Sequence, residues 1–141
     1  MDFYNLNLSD PVLDALDDMN FRETTPIQEH AIPPIIEGRD LLGVAQTGTG
    51  KTAAYLLPVL SELSYGDYPT DVINCVIMSP TRELAQQIDQ ALQGFSYHLP
   101  YISSVAVYGG NDGIRYEQEK RSMQQGADIV IATPGRLISH L

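Results

Sequence analysis

The chain has 141 residues, of which 43 % are hydrophobic, as expected for one globular domain with a buried core. Its formal net charge of −10 argues against a nonspecific, high-affinity nucleic-acid binder, although a local binding strip is compatible with it. No apolar run approaches the ~20 residues that a membrane span needs, and the N-terminus lacks the basic region of a secretory signal, so we expect no membrane association.

The first 38 residues predict two helices. Ser9 is placed to cap the first, whose acidic residues form a solvated face. Thr25-Pro26 opens the second, which Pro33-Pro34 should distort. We therefore divide the chain into N-terminal helices over 1–38 and a larger segment over 39–141, within one compact domain.

From residue 41 onward, short apolar strands alternate with helices. This alternation predicts an α/β fold with a mostly parallel sheet, helices on both faces, and the loops after the strands at one edge. The only cysteine, Cys75, lies in the second strand, where we expect a buried, reduced thiol that fits a cytoplasmic location. The predicted strands are 41–45, 73–78, 103–107 and 128–132; the predicted helices are 51–63, 81–97, 114–125 and a last one from 134.

The run Ala45-Gln46-Thr47-Gly48-Thr49-Gly50-Lys51-Thr52 lies between the first predicted strand and a helix, which is the setting of a phosphate-binding P-loop. Gly48 and Gly50 let the backbone N–H groups converge on an anion, and the helix that follows adds the positive end of its dipole. Lys51 is placed to neutralise the terminal phosphates of a nucleoside triphosphate. The Thr52 hydroxyl is placed to ligate Mg²⁺, so both residues are candidate catalytic residues.

Four further segments accompany the P-loop: Phe21-Arg22-Glu23-Thr24-Thr25-Pro26-Ile27-Gln28, Pro80-Thr81-Arg82-Glu83-Leu84-Ala85, Gly109-Gly110 and Thr133-Pro134-Gly135-Arg136-Leu137. In this order and spacing they resemble the first lobe of a DEAD-box RNA helicase, from Phe3 to the last residue. The resemblance implies a three-layer, RecA-like fold, with ATP and Mg²⁺ as cofactors and RNA as partner.

In that family the upstream aromatic and glutamine recognise adenine. The resemblance therefore implies that Phe21 packs on the adenine ring, that Gln28 hydrogen-bonds the base edge, and that Phe3 buttresses the segment. Phe21 could instead be a core aromatic, and Gln28 a solvated helix residue. Two positions depart from the family pattern: Asn20 replaces a glycine, which is a mild change because asparagine tolerates positive φ, and Thr24 replaces a proline, which should loosen the segment.

The other motifs resemble the family's RNA-contacting elements, which hold phosphate and ribose rather than reading bases. Arg82 and Arg136 would add charge or brace the loops. Alternatively, each of these arginines pairs with a nearby carboxylate such as Glu83, and Gly109-Gly110 forms a simple turn. The implied RNA-binding residues are Pro80, Thr81, Arg82, Gly109, Gly110, Thr133, Pro134, Gly135 and Arg136.

The resemblance also implies a longer, two-lobed enzyme that couples ATP hydrolysis to local RNA unwinding or remodelling of RNA–protein complexes. The family's Asp-Glu-Ala-Asp segment and second lobe do not occur before Leu141, so we expect a monomeric, cytoplasmic piece that binds nucleotide without efficient hydrolysis. Two alternatives remain. One is a P-loop ATPase or GTPase with no nucleic-acid role, and the other is a non-enzymatic interaction module.

Overall fold

A computed structural model of the protein describes residues 1–46, 48, 50–69, 72–108 and 113–141. They form two compact units, one built from 1–66 with 91–100 and the other from 67–90 with 101–141. The boundary drawn at residue 38 stays a prediction. The elements in chain order are α1 (Asp10–Asp18), α2 (Pro26–Ile36), α3 (Lys51–Ser64), β1 (Cys75–Met78), α4 (Arg82–Phe95), β2 (Ser104–Val107), α5 (Gly113–Gln125), β3 (Ile129–Ala132) and α6 (Pro134–Ser139).

In the first unit, α1 and α2 both pack on α3, and α2 runs through Pro33 and Pro34 without ending. Ser9 occupies the N-cap position of α1, but its hydroxyl makes no capping hydrogen bond, so the predicted cap is wrong; its N–H donates to Ser61 Oγ at 2.9 Å instead. The fully buried apolar side chains of this core include Phe3, Val12, Leu16, Ile32, Leu56, Leu57 and Leu60.

Asn20 ends α1 in the left-handed conformation, with φ +61°. Its N–H donates to Asp17 O at 3.1 Å, and the N–H of Phe21 donates to Leu16 O at 2.9 Å. These two bonds form a Schellman motif, which satisfies the last carbonyls of the helix and sets the direction of the chain into Phe21. The structure therefore confirms that asparagine takes the positive φ for which glycine is better suited.

We expect Asn20→Gly to raise the free energy of unfolding by about 0.5–1 kcal/mol, because glycine adopts the left-handed conformation without a Cβ penalty. Urea denaturation followed by circular dichroism measures the change. Asn5→Gly is the matched control, since Asn5 ends a short 3₁₀ turn and is not among the positive-φ residues. It should be neutral or destabilising. A loss of stability in Asn20→Gly would contradict the assignment.

The predicted strand over 41–45 is wrong, because these residues form no strand in the structure. Leu42 is 92 % exposed and Val44 87 % exposed, although both are apolar. A strand satisfies its backbone groups by pairing with a neighbour, and among the described residues no strand pairs with this segment. A short apolar run is consistent with a buried strand, but the run alone does not supply a partner strand.

The second unit contains a three-stranded, all-parallel sheet in the order β1-β3-β2. β3 is buried along its whole length, as a central parallel strand should be. The α/β prediction is therefore confirmed, with three strands rather than four in the part of the chain that the structure describes. Cys75 at the start of β1 is only half-buried, and that burial raises the pKa of its thiol above the usual range. None of the helices in the described ranges is long and apolar enough to cross a membrane.

Candidate functional site

The P-loop has the backbone geometry that its glycines predict. Gly48 has φ +84° and Gly50 has φ +83°, so both are left-handed. Gly50 is the N-cap of α3, and Lys51 and Thr52 form its first turn. Left-handed residues beside a helix N-terminus bring N–H groups and the positive end of the dipole towards a common point. Thr47 and Thr49 lie outside the described residues.

The Lys51 side chain reaches across the loop. It is exposed, and its Nζ donates to Ala45 O at 2.8 Å. Gln46 is also exposed, whereas Thr52 is half-buried. The ammonium group is therefore held at the mouth of the loop, where phosphate oxygens can displace a single carbonyl contact.

Gln28 connects α2 to the P-loop. Its Oε1 accepts from Thr25 N–H at 2.9 Å, and its Nε2 donates to Gly50 O at 3.2 Å. Gln28 is 2 % exposed, so its interpretation as a solvated helix residue is wrong. Sequence reasoning missed the contact with Gly50. The spacing Thr25-x-x-Gln28 is that of a capping box, which was the available signal that this side chain turns back towards the helix start.

Phe21 stands in a row of three aromatic rings. Its centroid lies 6.4 Å from that of Phe3 and 5.7 Å from that of Phe95, both in edge-to-face contact. Phe3 and Phe95 are buried, whereas Phe21 is 37 % exposed, so the ring is anchored from two sides and still reaches the surface. The predicted contact with Phe3 is confirmed, and Phe95 was not anticipated.

Thr24 does not loosen this segment, contrary to the prediction. Its N–H donates to Met1 O at 2.9 Å, a bond that the family's proline could not make. Its Oγ1 lies 3.0 Å from Met1 O and 2.7 Å from Glu29 Oε1, so the hydroxyl can donate to either. The hydrogen bond from Thr24 is the main reason that the pKa of Glu29 lies below its usual range.

In the second unit, the loops after the three strands begin at the same edge of the sheet. Beyond the paired strand ends, Ser79 N–H donates to Ala132 O at 2.8 Å, and Thr133 N–H donates to Val107 O at 3.0 Å. This edge therefore carries Pro80, Thr81 and Arg82, all exposed, and the half-buried Thr133 beside the exposed Pro134 and Gly135. Gly109 and Gly110 lie outside the described residues.

Two threonines at this edge begin helices. Thr81 Oγ1 accepts from Leu84 N–H at 3.1 Å and so caps α4, while its own hydroxyl proton stays available for an acceptor. Thr133 is the N-cap of α6, without a side-chain capping bond.

Arg136 turns inward rather than to solvent. Its Nε lies 2.7 Å from Glu119 Oε1, and the two side chains are 11 % and 4 % exposed. The alternative, pairing with a carboxylate, therefore holds for Arg136, but the partner is Glu119 of α5 and not a residue adjacent in sequence. Among the described residues, no group of His, Cys, Asp and Glu side chains forms a metal site.

Comparison with known proteins gives consistent results over nearly the whole chain. The family model "DEAD/DEAH box helicase" matches residues 25–141. The chain is 45 % identical over 139 residues to the ATP-dependent RNA helicase DeaD of Escherichia coli K12, covering 99 % of this chain and 21 % of that protein. It is 42 % identical to DeaD of Buchnera aphidicola subsp. Acyrthosiphon pisum and 39 % identical to that of Haemophilus influenzae, with 99 % of this chain and 22 % of each relative covered. The chain thus spans about a fifth of the length of these relatives.

Proposed function

Because the chain belongs to the DEAD/DEAH box helicase family, we propose that it is the ATP- and RNA-binding part of an ATP-dependent RNA helicase. The observation that carries this proposal is the P-loop, in which two left-handed glycines precede α3 and Lys51 crosses the loop mouth. The alternatives were another P-loop ATPase or GTPase and a non-enzymatic module. The family membership favours neither of them.

The first unit would hold the nucleotide. The left-handed Gly48 and Gly50 and the side chain of Lys51 fit a chain of phosphates, because they offer N–H donors beside a helix start and one ammonium group. Thr52 would ligate Mg²⁺, which neutralises phosphate charge when bound. Phe21 offers an anchored, partly exposed ring for adenine. Gln28 retains one N–H and one lone pair beyond its protein contacts, which match the N6 and N7 groups of adenine.

The second unit would hold RNA by its sugar–phosphate backbone. The loops at the sheet edge present threonine hydroxyl groups and exposed helix starts, which suit phosphate and ribose oxygens and carry no base code. In a two-lobed enzyme, ATP and RNA would draw this part and a second RecA-like lobe together and bend the bound strand, which separates RNA strands locally. Hydrolysis would then reopen the cleft. A cytoplasmic location accords with a single half-buried thiol.

Calorimetric titration of the chain with Mg-ADP, and separately with Mg-GDP, tests the proposal. Adenine-selective binding is the expected result. Binding of both nucleotides with equal affinity would favour a P-loop protein that does not recognise adenine. Absence of binding to a folded sample would overturn the nucleotide site and favour the interaction module.

Gln28→Ala should narrow the preference for ADP over GDP by about three- to ten-fold, the value of one hydrogen bond to the base edge. The same pair of titrations measures it. Gln87→Ala is the matched control, because Gln87 is an exposed glutamine on α4 and its loss should leave the ratio unchanged. An unaltered ratio in a folded Gln28→Ala variant would mean that adenine is recognised elsewhere.

A further inference from the structure

The second unit contains a buried carboxylate that is not among the proposed RNA-binding residues. Glu119 of α5 is 4 % exposed. Its Oε1 lies 2.7 Å from Arg136 Nε and 3.0 Å from His140 Nε2, and its Oε2 lies 3.3 Å from Arg115 Nε. Burial of a carboxylate is costly unless it is paired, and a buried pair is often no more stable than apolar packing. Stability alone is therefore a weak reason for this arrangement.

The two arginine partners of Glu119 lie near the ends of two different strands. Arg136 lies in the first turn of α6, after Pro134 and Gly135, and Thr133 alone separates this helix from β3. Arg115 lies over the ring of Tyr108, the first residue after β2, with its guanidinium carbon 4.1 Å from the ring centroid. One carboxylate therefore contacts an arginine of α5 that packs on the residue after β2, and an arginine in the first turn of α6, which follows β3.

The geometry holds Arg136 from two directions. Glu119 accepts from its Nε, and the ring of Tyr116 lies beneath its guanidinium group at 5.0 Å. Tyr116 in turn stacks on His140, with a centroid separation of 4.1 Å and an interplanar angle of 9°. A planar guanidinium placed between a carboxylate and a ring has few accessible orientations, so the start of α6, which carries it, is held in place as well.

We propose that Glu119 is a positioning residue for RNA binding: through Arg136 it fixes the start of α6, directly after β3, relative to α5, while Arg115 packs α5 on Tyr108, the first residue after β2. This inference rests on the proposed RNA-binding function of that edge. It predicts a direction of change in RNA affinity that a simple charge effect cannot produce. A carboxylate near an RNA path repels phosphate, so its neutralisation alone would strengthen binding. Loss of a positioning contact would weaken it.

Fluorescence anisotropy with a short, labelled single-stranded RNA of mixed sequence tests this, with Glu119→Gln compared with the wild type. We expect about ten-fold weaker binding, the value of one charge-assisted hydrogen bond. Glu117→Gln is the matched control, because Glu117 is an exposed glutamate of the same helix. It should leave RNA affinity unchanged or slightly increased. Unchanged or tighter binding by folded Glu119→Gln would overturn the inference.

A double-mutant cycle separates positioning from a general loss of structure. In an Arg136→Ala background, Glu119→Gln should weaken RNA binding much less than it does alone, since the group it positions is gone. Additive effects would overturn the inference. If Glu119→Gln does not fold, Arg136→Lys decides: it keeps the charge but not the planar fork, so weaker binding supports positioning and unchanged binding refutes it.

The wild-type titration separates the two proposals. A folded wild type that does not bind the labelled RNA overturns the proposed RNA function and this inference with it. A wild type that binds RNA, together with an unaffected Glu119→Gln, overturns the inference alone.

Discussion

Lys51→Ala is expected to weaken the binding of Mg-ADP by about 10- to 150-fold, which corresponds to the loss of a charged hydrogen bond to phosphate. Lys51 is exposed, and its contact with Ala45 O is a single hydrogen bond at the loop mouth. Its removal should therefore change the free energy of unfolding by no more than about 0.5 kcal/mol. The substitution would therefore lower nucleotide affinity and leave the fold intact.

Isothermal calorimetry measures the affinity, and circular dichroism with thermal melting measures the fold. Lys120→Ala is the charge-matched control, because Lys120 is an exposed lysine of α5 and the same charge is lost. It should leave nucleotide affinity unchanged. Equal affinity of Lys51→Ala and the wild type would mean that other groups hold the phosphates, and the P-loop assignment would then be wrong.

Gly50→Ala is expected to lower the free energy of unfolding by about 2–4 kcal/mol and to remove nucleotide binding. A left-handed alanine costs about 1–2 kcal/mol. A Cβ at Gly50 would also lie 2.3 Å from Gln28 Nε2 and 3.2 Å from Gln28 Cδ, so the buried amide must move. Its movement breaks the bonds to Gly50 O and Thr25 N–H, which adds about 1 kcal/mol for each lost hydrogen bond.

Gly38→Ala is a close control for backbone strain. Gly38 has φ +81°, and a Cβ there would meet no atom within 4 Å. The free energy of unfolding of Gly38→Ala should fall only by the cost of one left-handed alanine, about 1–2 kcal/mol, and nucleotide binding should be kept. Chemical denaturation of both variants gives the difference. Equal losses would show that Gln28 moves at no cost, so that its contact with Gly50 does not hold the P-loop.

Several features were predictable because they depend on near neighbours in the chain. The start of α3 at Lys51, the left-handed glycines before it and the positive φ of Asn20 follow from residue type and from short spacing. The strands at 75–78, 104–107 and 129–132 were expected within two residues of where they occur, because a buried parallel strand reads as a short apolar run. The motifs that carry the family membership are likewise contiguous in sequence.

The tertiary structure alone decided which predicted elements found partners and where the functional side chains point. Residues 41–45 are a short apolar run, as a buried strand can be, but have no hydrogen-bonded neighbour in the described sheet. Gln28 reaches Gly50 across 22 positions, and Glu119 reaches Arg136 across 17. Local sequence determines backbone preference and periodicity. Pairing of strands and burial of polar side chains depend on atoms that come together only when distant segments pack, so no local pattern encodes them.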